Sequence, residues 1–294
     1  MQKRNAYIVL LATAALLLAG CTGLFVKSTI TPIPTEVPTP TATPEPLAAS
    51  VNGEGITLAE YQSELQRFQG AVTGTATPVP DDQAKTQVLD DLIDQTLLEQ
   101  GARKDGYTAD DATLQQHIDA LVEQLGSAQA LTDWEMANFY TDQSFKQALR
   151  RQIAAAWERD KIVALVPTTA DQVHARQILV LSSSLASQIY NQLKAGADFA
   201  TLAYVYDPLT GGDLGWFPKG YLTQSAVEDA AFSLQPGQYS EVLQTDFGYQ
   251  IIYVIERDAN HSLSADALQV LQHQALQNWL QQQRSAAQVE TLVP

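Results

Sequence analysis

Gly211-Gly212-Asp213-Leu214-Gly215-Trp216-Phe217 draws its meaning from what stands on either side of it. Alone the run would say little, because Gly and Asp crowd into any turn. Upstream lies an apolar stretch, Val173-His174-Ala175-Arg176-Gln177-Ile178-Leu179-Val180. Downstream come Val227-Glu228-Asp229-Ala230-Ala231-Phe232, then Leu234-Gln235-Pro236-Gly237, then Phe247-Gly248-Tyr249-Gln250-Ile251-Ile252-Tyr253-Val254. Patterning assigns Gln172 to Leu181 to a strand and Ser182 to Ala195 to a helix closed by Gly196. Asp198 caps a short helix through Ala203, and a loop runs from Tyr204 to Gly215. Ser225-Ala226-Val227-Glu228 has the form of a capping box opening a helix to Leu234. Glu241 to Gln244 and Tyr249 to Glu256 read as strands joined by the turn Thr245-Asp246-Phe247-Gly248. Strand, helices, strand, helix and hairpin in that order make a compact α+β sheet unit, present once and without internal repeat.

These ordered blocks resemble a parvulin-type peptidyl-prolyl isomerase domain, spanning residues 168–258. Prolyl isomerisation needs neither nucleophile nor cofactor, and no metal. The barrier, about 18–20 kcal/mol, is held up by amide resonance. An isomerase holds the proline ring in an apolar pocket, keeps water off the amide and favours the twisted state over either planar one. By the resemblance, Leu222 matches one wall of the ring pocket, and Val227 falls at a second wall that usually carries Phe. Gly220 to Val227 is one residue longer than usual. Trp216, Phe232 and Phe247 are further candidate substrate contacts, with Phe232 also suited to the core.

Tyr204-Val205-Tyr206-Asp207 puts Asp207 where the family often carries Asp or Cys near the proline nitrogen. Asp207-Pro208 equally has the form of a turn opener, and the loop to Gly212 is about two residues shorter than usual. Thr245 matches a hydroxyl often found at the hairpin turn, and turns favour Thr in any case. Asp213 is expected to tie the Gly-rich loop to its own backbone. Where parvulins carry two mutually hydrogen-bonded histidines on the first and last strands, this chain has Gln177 and Gln250. Two amides can still donate and accept across adjacent strands. His174 lies three residues from Gln177 on a strand of period two, so it points to the opposite face. His117, His261 and His273 fall in helical or linker regions and are expected to be exposed.

The flanks are of different character. Lys3 and Arg4 precede an apolar run from Ala6 to Leu18, too short to span a bilayer, and Leu18-Ala19-Gly20-Cys21 resembles a bacterial lipobox. That resemblance implies removal of residues 1–20 and lipid on Cys21, the only cysteine. Residues 21–47 form a Pro/Thr-rich segment, read either as a tether of roughly 80 Å reach in polyproline geometry or as a glycosylated stalk. Val51-Asn52-Gly53-Glu54 reads as an extended piece and turn, and Thr57-Leu58-Ala59-Glu60 as a capping box. A loop is expected from Thr73 to Pro80. Helices are expected at about Asp82 to Lys104, Asp111 to Leu125, from a capping box at Thr132-Asp133-Trp134-Glu135, and Gln143 to Leu165. This part, residues 48–167, resembles the helical N-terminal region of SurA- and PrsA-type extracytoplasmic chaperones. A last helix, about Ala265 to Val289, is too apolar on one side to stand alone. Residues 259–294 are therefore expected to pack back on the helical region, leaving the parvulin-like unit as an insertion.

Composition narrows the function. A net charge of -16 repels phosphate backbones and argues against nucleic-acid partners. No phosphate-binding Gly loop, His-Glu-x-x-His or Gly-x-Ser-x-Gly motif is present. Two functions are compatible with the residues. One is a lipid-anchored isomerase and foldase acting on X-Pro bonds of unfolded exported proteins. The other is a holding chaperone that keeps the fold and peptide groove without turnover. No motif speaks to oligomeric state. With glutamines at 177 and 250, an isomerase of this sequence should show a rate flat from about pH 5.5 to 7.5, where a histidine pair would titrate. A pronounced step in a pH–rate profile over that range would count against the glutamine pair as the central polar element.

Overall fold

The protein is described by a computed structural model covering residues 45–72 and 79–293. The leader, Cys21, the Pro/Thr segment through residue 44 and residues 73–78 of the expected loop lie outside the described residues. Strands β1 (Leu47–Val51) and β2 (Glu54–Thr57) form a hairpin about Asn52-Gly53, a sequence suited to the primed turns that match strand twist. Ala48, Ala49, Val51 and Ile56 are fully buried there. Helices α1 (Leu58–Val72), α2 (Asp81–Lys104), α3 (Asp111–Leu125), α4 (Ala128–Ala137) and α5 (Asp142–Ala164) follow. The stripe Val88, Leu92, Ile93, Leu97 and Leu98 of α2 is buried, as the helical spacing requires.

Only part of the expected capping holds. Thr57 Oγ1 accepts the Glu60 amide at 3.1 Å, but the Glu60 carboxylate turns to Arg151 of α5 instead of reaching back. Thr132 caps nothing. It lies inside α4, donating its hydroxyl to the Ala128 carbonyl, and the true cap is Ser127, which accepts the Ala130 amide. The sequence carries the Thr-x-x-Glu pattern, but Ser127 stands five residues earlier with the same capacity to accept.

The chain then leaves this lobe as strand β3 (Thr169–Val180). Helices α6 (Ser183–Lys194) and α7 (Phe199–Tyr206), strand β4 (Asp213–Pro218), helix α8 (Ser225–Ser233), and strands β5 (Leu243–Thr245) and β6 (Gly248–Ser262) complete a sheet of order β4-β3-β6-β5, antiparallel throughout. Alternation along β3 sends Ile178 and Val180 to the α6–α7 side, with Ile189, Leu193, Phe199 and Ala203. Val173 and Ala175 face the other way, with Phe217, Ile252, Val254 and the α8 residues Val227 and Ala231.

β3 and β6 run past the sheet as a two-stranded neck, with Thr169 opposite Ser262. Helix α9 (Ala265–Ala286) then returns to the helical lobe. Leu280 is buried with Leu98, Ala155 and Ile162, and Arg284 bonds Asp90 at 2.8 Å and Asp94 at 2.6 Å. Gly101, inside α2, makes room for Trp279: a Cβ there would come within 2.7 Å of the indole. A helix-interior glycine costs about 1 kcal/mol relative to alanine, and here the loss is offset by the aromatic it admits. The helix ends at Ala286, short of the expected Val289. Val289–Thr291 forms instead a third strand, β7, beside β1.

A close backbone approach positions the Gly-rich loop. Gly212 has φ +68°, its carbonyl accepts the Gln177 amide at 2.8 Å, and a Cβ on it would lie 1.9 Å from the Gln177 carbonyl oxygen. Gly212→Ala should therefore destabilise the isomerase-like unit by on the order of 3 kcal/mol, combining backbone strain with a steric clash. Urea unfolding checks this, and a loss below about 1 kcal/mol would mean that the loop does not sit on β3 in this way.

Candidate active site

The face of the sheet covered by α8 is apolar at one end and amide-bearing at the other. Gln177 of β3 and Gln250 of β6 share the face of Val173, Ala175, Ile252 and Val254, beyond the residues that α8 covers. Gln250 Nε2 donates to Gln177 Oε1 at 3.2 Å. Gln250 is 1% exposed, and its Oε1 has no hydrogen-bond partner among the described residues. The pair thus braces the two strands and retains an acceptor. His174 lies on the opposite face, as its spacing from Gln177 predicts.

The candidate pocket residues are divided by the structure. Leu222 is half-buried on the cluster that contains Phe217 and Val227, and so presents part of its side chain. Val227 is 2% exposed and belongs to the core of α8, so it supports the pocket from behind and offers no surface of its own. Phe232 packs edge-on against Phe217 at 6.1 Å with the Arg257 guanidinium over its ring at 5.5 Å, partly buried at the edge of that core. Trp216 is directed away from this face. It stacks on His261 at 4.0 Å and lies 5.5 Å from His174, so it is not brought to Leu222. His261, expected in a linker, is therefore a packed residue of the neck. Phe247, 58% exposed, stands at the hairpin turn. Thr245 supports that turn by donating to the Gly248 carbonyl at 3.1 Å and accepting the Phe247 amide at 3.3 Å.

The carboxylates here shape loops. Asp207 is the C-terminal cap of α7 and accepts from the amides of Leu209, Thr210 and Gly212 at 3.1–3.2 Å and from the Thr210 hydroxyl. The Thr210 bonds, with those of Gly212 and Leu209, hold its carboxyl below the usual carboxylate range despite an opposing effect of desolvation. Its folded value being lowered, the loop support it provides is present above the ordinary carboxylate range and is lost only as pH falls through the lowered value. Through Gly212 the loop is coupled to the Gln177 backbone. Asp213 accepts the Gly215 amide at 2.8 Å, as expected, and also bonds His174 Nε2 at 2.9 Å. Burial would raise the Asp213 carboxyl, but these two bonds together with the nearby charges of His174 and Arg176 leave it lowered.

Glu228 was misread in the sequence and is central. The expected capping box at Ser225 is absent: α8 begins at Ser225, and Gln224 before it makes no side-chain cap. Glu228, 6% exposed, sends its two oxygens to the amides of Gly220 at 2.7 Å and Leu222 at 3.1 Å. It fixes the loop that carries Leu222. The extra residue between Gly220 and Val227 was the available signal, since a longer loop needs a partner for its buried amides.

Comparison with known proteins places both parts of the chain in known families. The family of PPIC-type PPIase (Rotamase) domains matches residues 165–256, and the SurA-like N-terminal domain family matches residues 2–156. Foldase protein PrsA of Caldanaerobacter subterraneus subsp. tengcongensis is 31% identical over 223 residues, 70% of this chain and 72% of its own length. Chaperone SurA of Pseudomonas fluorescens is 38% identical over 146 residues, 42% of this chain and 34% of its own. Among solved structures, peptidylprolyl isomerase PrsA of Bacillus cereus aligns over 82% of this chain and 90% of that one, with 21% identity and a TM-score of 0.46. With its sheet unit inside the PPIC-type match and its helical lobe inside the SurA-like one, this chain belongs to the PrsA/SurA-like family of foldases with a parvulin-type peptidyl-prolyl isomerase domain.

Proposed function

We propose that the protein is an extracytoplasmic foldase, anchored to a bacterial membrane by lipid on Cys21, whose parvulin-type unit isomerises X-Pro bonds of exported proteins. The observation that carries the site assignment is the hydrogen-bonded Gln177–Gln250 pair at one end of the face on which Leu222 is half-buried. In this reading Leu222 receives the proline ring, and Phe247 and Thr245 border the bound peptide at the hairpin. The glutamine pair offers a fixed dipole beside the amide. Twisting that amide breaks its resonance and needs no proton transfer, so neutral amides suffice where histidines would also serve. Helices of the lobe bind other parts of an unfolded client.

A second reading, a holding chaperone without turnover, is favoured by one specific observation. The Asp207 carboxylate is occupied by four donors of its own loop, which leaves it little capacity to act on a bound peptide.

NMR exchange on short X-Pro peptides distinguishes the two, using residues 48–294. Exchange well above the spontaneous rate is expected, with Gln177→Ala/Asp207→Ala lowering it by roughly tenfold as the brace and the loop anchor are lost together. Peptide binding without faster exchange would establish the holding chaperone instead.

A further inference from the structure

α9 belongs to the helical lobe, yet it touches the isomerase unit at the loop that carries Leu222. Gln274 Nε2 donates to the Gly220 carbonyl. Gly220 occupies the third position of the turn Pro218 to Tyr221, closed by the Tyr221 amide on the Pro218 carbonyl at 3.4 Å, with φ +90°. That conformation is natural for glycine and strained for other residues. The approach is tight: a Cβ on Gly220 would come within 2.7 Å of Gln274 Oε1.

The polar groups of this loop are therefore shared between two bodies of structure. Its Gly220 and Leu222 amides go to Glu228 of α8, inside the isomerase unit. The Gly220 carbonyl goes to α9. That helix is in turn held to the lobe by Arg284 on Asp90 and Asp94, by Leu280 in the cluster of Leu98, Ala155 and Ile162, and by Gln272 Nε2 on the Val163 carbonyl at 3.5 Å. α9 cannot follow the loop freely. The loop must take the position that α9 allows.

We propose that Gln274 is a positioning residue for the proline pocket: through Gly220 it sets where Leu222 stands and couples the pocket to the helical lobe. This rests on Leu222 being the ring contact. The coupling is a matter of geometry. Leu222 is two residues from the Gly220 carbonyl, and a pocket wall displaced by a fraction of an ångström loses discrimination between the twisted amide and the planar ones.

The test uses the full chain and two variants. Gln274→Glu keeps shape but has no N–H to give to Gly220, whereas Gln274→Lys keeps a donor. Gln274→Glu should lower kcat/KM for X-Pro peptides by roughly three- to tenfold, the scale of one hydrogen bond. The Leu222 methyl resonances should shift, and the melting temperature should stay within about 2 °C of the parent. Gln274→Lys should recover most of the rate. Unchanged kinetics and unchanged Leu222 methyls in Gln274→Glu would overturn the proposal. So would equal losses in both variants with a large fall in melting temperature, which would mark Gln274 as structural only. If the parent chain itself does not accelerate exchange, the isomerase reading fails separately. Peptide affinity and the Leu222 methyls then decide: the positioning role stands if Gln274→Glu moves both, and falls if it moves neither.

Discussion

The antiparallel pairing of β3 with β6 is the constraint on which the rest of this structure depends. It runs from Val180 opposite Tyr249 at one end to Thr169 opposite Ser262 at the other. At the first end it places Gln177 and Gln250 close enough to bond across the strands. At the other it becomes the neck to the helical lobe, where Gln172 Nε2 adds a bond to the His261 carbonyl and the Leu263 amide reaches the Thr168 carbonyl. One ladder therefore fixes both the site and the entry and exit of the inserted unit. Register shifts occur near Ala170 and His174, where a bulge increases local twist. Between Ala175 and Val180 the pairing is regular, and that is the stretch bearing Gln177.

Around this ladder, carboxylates hold the loops in place. Asp207 and Glu228 each take two or more donors from short irregular segments, and Asp213 takes the Gly215 amide at the start of β4 and His174 of β3. Such segments have no helix or strand partners for their amides, and an unpaired buried amide is costly. A carboxylate answers that need better than a neutral group because its hydrogen bonds are charge-assisted. The reacting bond, by contrast, carries no net charge in either planar form and exchanges no proton. In the proposed site, neutral glutamines would face that bond while carboxylates support the loops from behind, a consistent division of labour.

What the sequence revealed follows the same division. Long periodic elements were legible: α2, α3 and α5 start and end within about a residue of expectation, and the strands β3 and β6 were recognisable from their apolar alternation. The glutamine pair was readable through the resemblance to parvulins, whose paired histidines stand at those places, and the role of Asp213 through the Gly-rich loop. The errors came where one side chain had competing partners. Glu228 satisfies Ser-x-x-Glu but goes to loop amides, Glu60 satisfies Thr-x-x-Glu but goes to Arg151, and Trp216 lies one residue from a core Phe yet on the other face. Local pattern cannot rank a cap against a distant cation or amide, since the distances involved are set by tertiary packing. β7 was missed for the same reason: Val289–Thr291 becomes a strand only because β1 offers an edge.

That last contact explains why a domain can be interrupted by ninety or so residues without falling apart. Closing a long loop costs free energy that grows only slowly with its length, so the insertion itself is cheap if its two ends are already together. Here the neck holds them together as a paired ladder. The far ends of the lobe are joined independently, Leu292 donating to the Ala48 carbonyl, Asn52 to the Gln288 carbonyl, and Gln288 back to Asn52 Oδ1. The lobe is therefore closed at both the start and the finish of its chain. α9, spanning from the neck to this closing sheet, is the element that must be correctly placed for either closure to hold. A residue midway along it, such as Gln274, is consequently well sited to report the state of the lobe to the isomerase unit.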